Sequence, residues 1–359
     1  MNIGEIARRS GVARSTVSYA LSGKRPVSEE TRRRIQAVID ELDYRPSATA
    51  RALKEGRTRT VGLVIPPAGV RLTSMQLGFV ASVVEAAARV DLDVLLSPSG
   101  GGQDGSFERL VGGRRVDGVI LMEIRLEDPR VVRLAQAGMP FVTIGRVAEP
   151  DGTWWVDEDY ATLVGECVDH LADLGHRHIA LVNRPAGMVA AGYGPGRRAR
   201  EGFAAAVGRR GVSGSEFCCQ DDVAGGERCV AEILAACPAT TAIVTVNEAA
   251  LPGVQRGLER AGHEVPRTFS IAGVAADQWA EEFRPALTAA DVPSQEMGAV
   301  AMDLLAERIA DPDAPARHRL FVPPISLRGS TGPAPRPSAR PAFLRPPSAP
   351  AWVTGTDED

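Results

Sequence analysis

Arg14, Ser15, Ser18 and Tyr19 fall within six residues of one another and, on a helix, share one face. A guanidinium fork, two hydroxyls and a phenol supply the donors and acceptors that base edges in a DNA groove require. A second set stands much further along, each member just past an apolar run: Glu123, Arg125, Arg146, Asn183, Arg184, Asn247 and Glu248. Carboxylates, amides and guanidinium groups suit a hydroxyl-rich ligand such as a sugar, because every buried hydroxyl must find a partner. Trp154 or Trp155 could stack on a sugar face or sit in a core. The signatures of catalysis are missing: there is no G-x-S-x-G, Walker A or H-E-x-x-H pattern, and the five histidines lack ligand spacing. Asp157-Glu158-Asp159 reads as ligand contact or helix capping rather than a metal or acid/base site. Gly192-Tyr193-Gly194-Pro195-Gly196 reads as a loop rather than an anion cradle. No enzyme, metal or cofactor is expected.

The first set is positioned by three short helices. Ile3, Ile6 and Ala7 repeat at helical spacing, and Asn2 with Glu5 has the form of a capping box. Gly11 permits a tight turn, and the next helix turns Val17, Ala20 and Leu21 inward. After the break at Ser22-Gly23-Lys24-Arg25-Pro26, Ser28 can cap a third helix over Glu29–Leu42, with Ile35, Val38, Ile39 and Leu42 inward. That is a helix-turn-helix, whose second helix enters a major groove. A plain three-helix bundle with a solvated charged face is the alternative, and charge distribution weighs against it. Residues 1–59 carry 13 Lys/Arg against 7 Asp/Glu, while the rest carry 28 against 38. A basic head on an acidic body is the footprint of a nucleic-acid binder, with phosphate contacts making affinity fall with salt. The linker from Tyr44 to Gly56 has Ser47 to cap and Gly56 to stop one short helix, with Ala50 and Leu53 three apart. About eight residues cannot hold a helix alone, so it needs a partner to fold.

From Thr60 onward, apolar runs alternate with amphipathic stretches. Expected strands are 61–65, 94–97, 118–122, 141–144, 178–182, 217–220, 242–246, 269–274 and 287–291. Expected helices are 77–90, 128–138, 162–175, 197–211, 225–237, 248–262 and 294–310. Alternation of this kind implies parallel sheets covered on both faces, and about 270 residues of it imply two lobes. Crossings between lobes are expected near Val156, Asp291 and Val322, with the ligand in the cleft beyond the strand ends. No stretch approaches the roughly 18 apolar residues of a membrane span, and no signal peptide is evident. Five cysteines, odd in number and without a C-x-x-C pair, suit a reducing cytosol. Cys218-Cys219 reads as a buried strand pair.

Residues 2–56 resemble the DNA-binding region of the LacI/GalR family of bacterial transcription regulators. The matching residues read I-x-x-I-A-x-x-S-G-V-x-x-S-T-V-S-x-x-L-S-G from Ile3, then V-S-x-x-T-R-x-x-I from Val27 and E-L-x-Y-x-P-x-x-x-A-x-x-L from Glu41. Local echoes continue in Val116–Ile120, Pro140–Gly145, Leu174–Ala180 and Leu327–Thr331. The resemblance implies a hinge helix that pairs with its copy in the minor groove, Leu53 wedging between base pairs. It implies an expected DNA-contacting set of Asn2, Ile3, Arg14, Ser15, Thr16, Ser18, Tyr19, Lys24, Arg25, Ser47, Ala50 and Leu53. The core resembles periplasmic sugar-binding proteins. Arg198 or Arg200 stands near the family's effector-binding arginine, whose own position holds Ala199. The expected effector set is therefore Glu123, Arg125, Arg146, Asn183, Arg198, Arg200, Asn247 and Glu248. Ala13 replaces the usual cap of the recognition helix, Tyr19 a common arginine, and Ala275 an effector-binding aspartate, so operator and effector cannot be copied from relatives.

The expected fold is an all-α helix-turn-helix head on an α/β core of two doubly wound parallel-sheet lobes. The divisions are a head at 1–45, a hinge at 46–59, a core at 60–331 and a disordered Pro-rich tail at 332–359. Lobe 1 takes about 60–156 and 291–322, and lobe 2 about 157–290 and 323–331. The tail has no heptads, so a homodimer is expected, on a near-palindromic duplex operator. The expected function is a cytoplasmic regulator, a repressor of sugar-metabolism genes under a sugar effector. An exported solute receptor and a sugar-processing enzyme are the competing classes.

Overall fold

The computed structural model describes residues 3–22, 25–42, 56–67, 72–99, 105–113 and 115–335. The head holds α1 (Ile3–Ser10), α2 (Arg14–Ser22) and α3 (Glu29–Glu41). Gly11 makes the turn between the first two at φ +63, a value glycine adopts without steric cost. Ile6, Ala7, Val17, Ile35 and Val38 form one small core, edged by Ile3, Val12, Ala20, Ile39 and Leu42. Ser28 caps α3, its side chain accepting from the Thr31 N–H at 3.3 Å. Leu21, read as inward from its spacing, is 38% exposed.

The first lobe contains β1 (Thr60–Ile65), α4 (Ser74–Arg89), β2 (Asp93–Pro98), α5 (Ser106–Gly112), β3 (Gly118–Leu121), α6 (Pro129–Gln136), β4 (Phe141–Ile144) and β5 (Trp155–Glu158). The second contains α7 (Tyr160–Asp173), β6 (His178–Asn183), α8 (Ala186–Ala190), α9 (Gly194–Arg210) and β7 (Ser213–Cys218). It continues with α10 (Val223–Ala236), β8 (Ala242–Thr245), α11 (Leu251–Arg260), β9 (Ser270–Ala275), α12 (Asp277–Glu282) and β10 (Thr288–Asp291). The chain then returns to the first lobe with α13 (Ser294–Ala310), which lies against α4, and with β11 (His318–Phe321). It ends in the second with β12 (Ile325–Ser326).

Each lobe has one six-stranded sheet, ordered β11-β5-β4-β3-β1-β2 in the first and β12-β10-β9-β8-β6-β7 in the second. Every pairing is parallel except β10 with β12. Central strands such as β3, β4, β8 and β9 are buried at every residue, as parallel strands covered on both faces must be. The chain passes between sheets after Glu158, after Asp291 and after Phe321. Close approach of α9 to α7 depends on Gly202, where a Cβ would collide with the Ala161 carbonyl.

Several elements differ from the sequence reading. β5 and β11 lacked a signal because Asp157, Glu158, His318 and Arg319 interrupt their apolar runs. β7 runs over Ser213–Cys218 rather than 217–220, since pairing with β6 recruits the weak strand formers Ser213, Gly214 and Ser215. Cys219 is buried just beyond that strand and Cys218 only half-buried. The stretch read as one helix from Glu248 opens with a 3₁₀ turn over Glu248–Ala250 before α11, with Pro252 in the first turn. Gly332 and Ala334, assigned to the tail, are held by the second lobe. The Gly332 carbonyl lies 3.1 Å from His176 Nε2, and Ala334 N–H donates to the Leu174 carbonyl at 2.9 Å.

Candidate functional site

On the head, α2 presents exposed Arg14 and Ser15 with half-buried Thr16, Ser18 and Tyr19. The Arg25 guanidinium lies 5.3 Å over the Tyr19 ring, a cation–π contact that brings the loop's charge onto the helix face. Arg14 packs against Gly4, where an added Cβ would sit 2.6 Å from its guanidinium. Ala13 offers no side-chain cap, and the first turn closes through Thr16 and Val17 N–H onto its carbonyl at 2.9 and 3.2 Å. Two other arginines of the head are occupied: Arg8 and Arg9 pair with Glu5, and Arg9 also reaches Glu41 at 2.9 Å. The Arg8 and then Arg9 hydrogen bonds hold the Glu5 carboxyl below its usual range.

Between the lobes is a cavity with about 50 Å³ of free space, small beside the roughly 300–1,000 Å³ of typical ligand pockets. Its wall includes Gln76, Glu123, Glu158, Arg184, Tyr193 and Glu248. Glu123 follows β3 in a left-handed conformation, φ +57, which turns its side chain into the cleft rather than along the strand. It accepts from Gln76 Nε2 at 2.6 Å and, across the cleft, from the Tyr193 hydroxyl at 3.4 Å. Arg184 follows β6, stacks 5.3 Å from the Tyr193 ring and forks onto Asp221 at 3.1 and 2.8 Å. Glu248 follows β8 and reaches over to the N-terminus of α4, accepting from Ser74 N–H at 3.0 Å and Met75 N–H at 3.4 Å. A carboxylate at a helix N-terminus is favoured by the unpaired N–H groups and the dipole there.

Further ties cross the same gap. Gly194 N–H donates to the Ile124 carbonyl at 2.9 Å, and Leu126 N–H to the Gly192 carbonyl at 2.8 Å. Arg198 Nη2 donates to the Arg146 carbonyl at 3.0 Å and its Nη1 faces Asp157 at 3.7 Å; Arg146 faces the same carboxylate at 3.2 Å. Burial pushes the Asp157 carboxyl up to about 6 against the pull of Arg198 and Arg146. Burial, then the Asp157 charge, pushes Glu158 up to about 8. Glu248 is also raised by burial, partly opposed by its backbone hydrogen bonds. Asp157 and Glu158, held this way, change charge near neutral pH, so a ligand's charge can set them.

The N-terminal residues 2–47 match the model described as bacterial regulatory proteins, lacI family, and residues 168–331 match a periplasmic binding protein-like domain. The ribose operon repressor of Escherichia coli (strain K12) is 30% identical, over 91% of this chain and 98% of that protein. The chain belongs to the LacI family. The regulator CelR of Thermobifida fusca is also 30% identical, over 85% of this chain and 90% of that one. Among solved structures, a CelR–cellobiose complex matches at TM-score 0.68 and 26% identity, covering 92% of this chain and 99% of that chain. A lac repressor dimer bound to operator and an anti-inducer matches at TM-score 0.81 and 20% identity, with the same coverage, and shows the shared fold.

Within this LacI-family chain the expected residues divide. Of the head set, Asn2, Lys24, Ser47, Ala50 and Leu53 lie outside the described residues. Arg14, Ser15, Thr16, Ser18, Tyr19 and Arg25 share the α2 surface, while the Ile3 side chain packs against the head's core. Of the effector set, Glu123 and Glu248 line the cavity. Arg146 and Arg198 stand behind it on Asp157. Arg125 is exposed and Arg200 pairs with Glu216 at 2.6 Å, so neither side chain reaches the cavity. Asn183 and Asn247 are buried but spent on structure: Asn183 donates to Gly196 and Glu216, and Asn247 donates to Cys219 and caps the 3₁₀ turn. Strand-end position could not tell these from cleft residues, because backbone carbonyls at strand ends need partners too. Trp154 and Trp155 are core, Trp155 stacking on His318 at 4.5 Å. Asp159 caps α7. Gln76 and Tyr193 were missed, although Thr73-x-x-Gln76 before an apolar run was a legible capping box. Among the described residues no group of three or more His, Cys, Asp or Glu could hold a metal, and no helix is long and apolar enough to cross a membrane.

Proposed function

We propose that the chain is a cytoplasmic homodimeric repressor of carbohydrate-use genes, released from or fixed on its operator by a sugar held between the lobes. Its divisions are a DNA-reading head to about residue 45, a hinge to 59, a core from 60, and a tail that begins beyond Pro335. Arg14, Ser15, Thr16, Ser18, Tyr19 and Arg25 would read bases and phosphates. Leu53 would wedge into the minor groove, as the family resemblance implies. Glu123, Arg184 and Glu248 would meet the effector directly, while Arg146 and Arg198 would position Asp157.

One observation carries the mechanism: Glu248, on the second lobe, is seated on the N-terminus of α4 in the first, beside the cavity. A ligand entering there competes with that contact and resets the spacing of the lobes. In a two-fold dimer such a change alters the separation of the hinges, and a segment that orders only when paired responds steeply. Regulation then follows from differential affinity of the effector for two lobe arrangements. Relatives bearing the names ribose operon repressor and CelR support a sugar as the ligand class.

The test is fluorescence anisotropy with duplex DNA from upstream of the chain's own gene, with and without a panel of sugars at stated salt. The expected result is tight binding to one near-palindromic site and a large change with one sugar. A chain that stays monomeric at working concentration, or ignores every duplex at low ionic strength, refutes the proposal.

A further inference from the structure

We infer that the interlobe cavity selects a sugar bearing an amine, with the ammonium seated on Glu158. The inference rests on the sugar-effector reading above and names the class of sugar. Glu158 is 2% exposed, lines the cavity, and its Oε1 has no hydrogen-bond partner. An unpartnered buried carboxyl oxygen is costly, and such atoms in folded proteins generally await a ligand or water. The Asp157 carboxylate beside it adds like charge, the Tyr160 hydroxyl hydrogen-bonds the carboxyl and partly offsets this, and no guanidinium stands among its neighbours.

The surroundings carry the same sign. Glu123, Asp157, Glu158 and Glu248 line the cavity, with Asp221 behind Arg184. The cations in reach are Arg184, forked onto Asp221, and Arg146 and Arg198, whose charges face Asp157 at 3.2 and 3.7 Å. Two carboxyls are therefore in excess, and the lining guanidinium is already forked. A neutral sugar would leave Glu158 either protonated or as a buried unpaired charge, the arrangement proteins tolerate least. An ammonium supplies both the missing charge and the missing donor, while the sugar's hydroxyls donate to Glu123. Burial, then the Asp157 charge, pushes the Glu158 carboxyl up to about 8, so it is mostly protonated at neutral pH and ionises when the ammonium arrives. Binding of a protonated amine thus releases a proton; binding of a neutral sugar does not.

The experiment is isothermal titration calorimetry of the full chain with matched pairs: glucosamine and glucose, galactosamine and galactose, mannosamine and mannose. Titrations run at about pH 6.5, below the raised Glu158 value, in two buffers of different ionisation enthalpy. The expected result is that the amine member of one pair binds about tenfold or more tighter, as a charge-assisted bond requires, and releases about one proton. Glu158→Gln should bring the two members of that pair within about threefold and abolish the release. Neutral members binding equally or better, or amine binding without proton release in the unsubstituted protein, overturns the inference and leaves the sugar-regulator reading intact. If no sugar of either kind binds or shifts operator affinity, that reading falls and takes this inference with it.

Discussion

Replacing Glu158 with Gln should make the core more stable, and increasingly so as pH rises from about 5 to 8. The carboxyl is buried, and its ionisation is displaced from an ordinary 4.5 in the unfolded chain to about 8 in the folded one. A folded value above the unfolded value means that the folded state binds the proton more tightly. The corresponding stability is complete below the unfolded value and is lost as pH rises through the folded one. At about 1.4 kcal/mol per unit the full displacement corresponds to about 3–5 kcal/mol. The lower end applies because Asp157, itself raised to about 6, shares the interaction. For a core of this size each kcal/mol moves Tm by about 2–4 °C, so the wild-type Tm should fall relative to Glu158→Gln by about 6–15 °C across the window. Any cost of burying an amide is independent of pH and cancels when the two profiles are compared. The assay is thermal unfolding by circular dichroism at pH 5, 6.5 and 8 on both proteins without added sugar. Parallel profiles would refute the assignment of Glu158 as a buried acid without a cationic partner, and so would a gap that narrows as pH rises.

Other expectations follow from single contacts. Arg198→Ala removes the bonds to the Arg146 and Val147 carbonyls and leaves Asp157 with Arg146 alone; a loss of about 3–5 kcal/mol should appear in denaturant unfolding. Glu248→Ala frees the Ser74 and Met75 N–H groups and weakens the closed arrangement by about 2–3 kcal/mol, read as a larger radius of gyration in small-angle scattering without effector. Ile6→Ala empties the centre of the head's core, costing about 2–5 kcal/mol, and should abolish operator binding while the melting of the two lobes stays unchanged. Leu53→Ala should reduce affinity for the operator far more than for random duplex, measured side by side at fixed salt; equal losses would count against a wedge.

The head was legible almost completely, because helices report themselves in the spacing of Ile6, Val17, Ile35 and Val38 and in punctuation such as Gly11 and Ser28. These are local effects: a cap or a turn acts within a few residues. The alternation of the core was equally plain where strands were wholly apolar, as in β3, β4 and β8, and failed where charge interrupted them, as in β5 and β11. Asp157 and Glu158 look like surface residues in the chain. Only the neighbouring strands β4 and β11, which bury β5, turn them into perturbed acids.

The sequence by itself determined the family, the basic reading helix and the order of strands and helices, because each is written in residues close together along the chain. Tertiary structure alone decided which strand-end residues reach the ligand. Asn183, Arg184, Asn247 and Glu248 are equivalent by position, yet Asn183 and Asn247 are consumed by their own lobe, Arg184 lines the cavity while forked onto Asp221 of its own lobe, and Glu248 bonds across to the other. The reason is physical: a polar side chain goes to whichever unpaired donor or acceptor is nearest, and across a cleft that partner belongs to a segment more than a hundred residues away, such as Ser74 for Glu248.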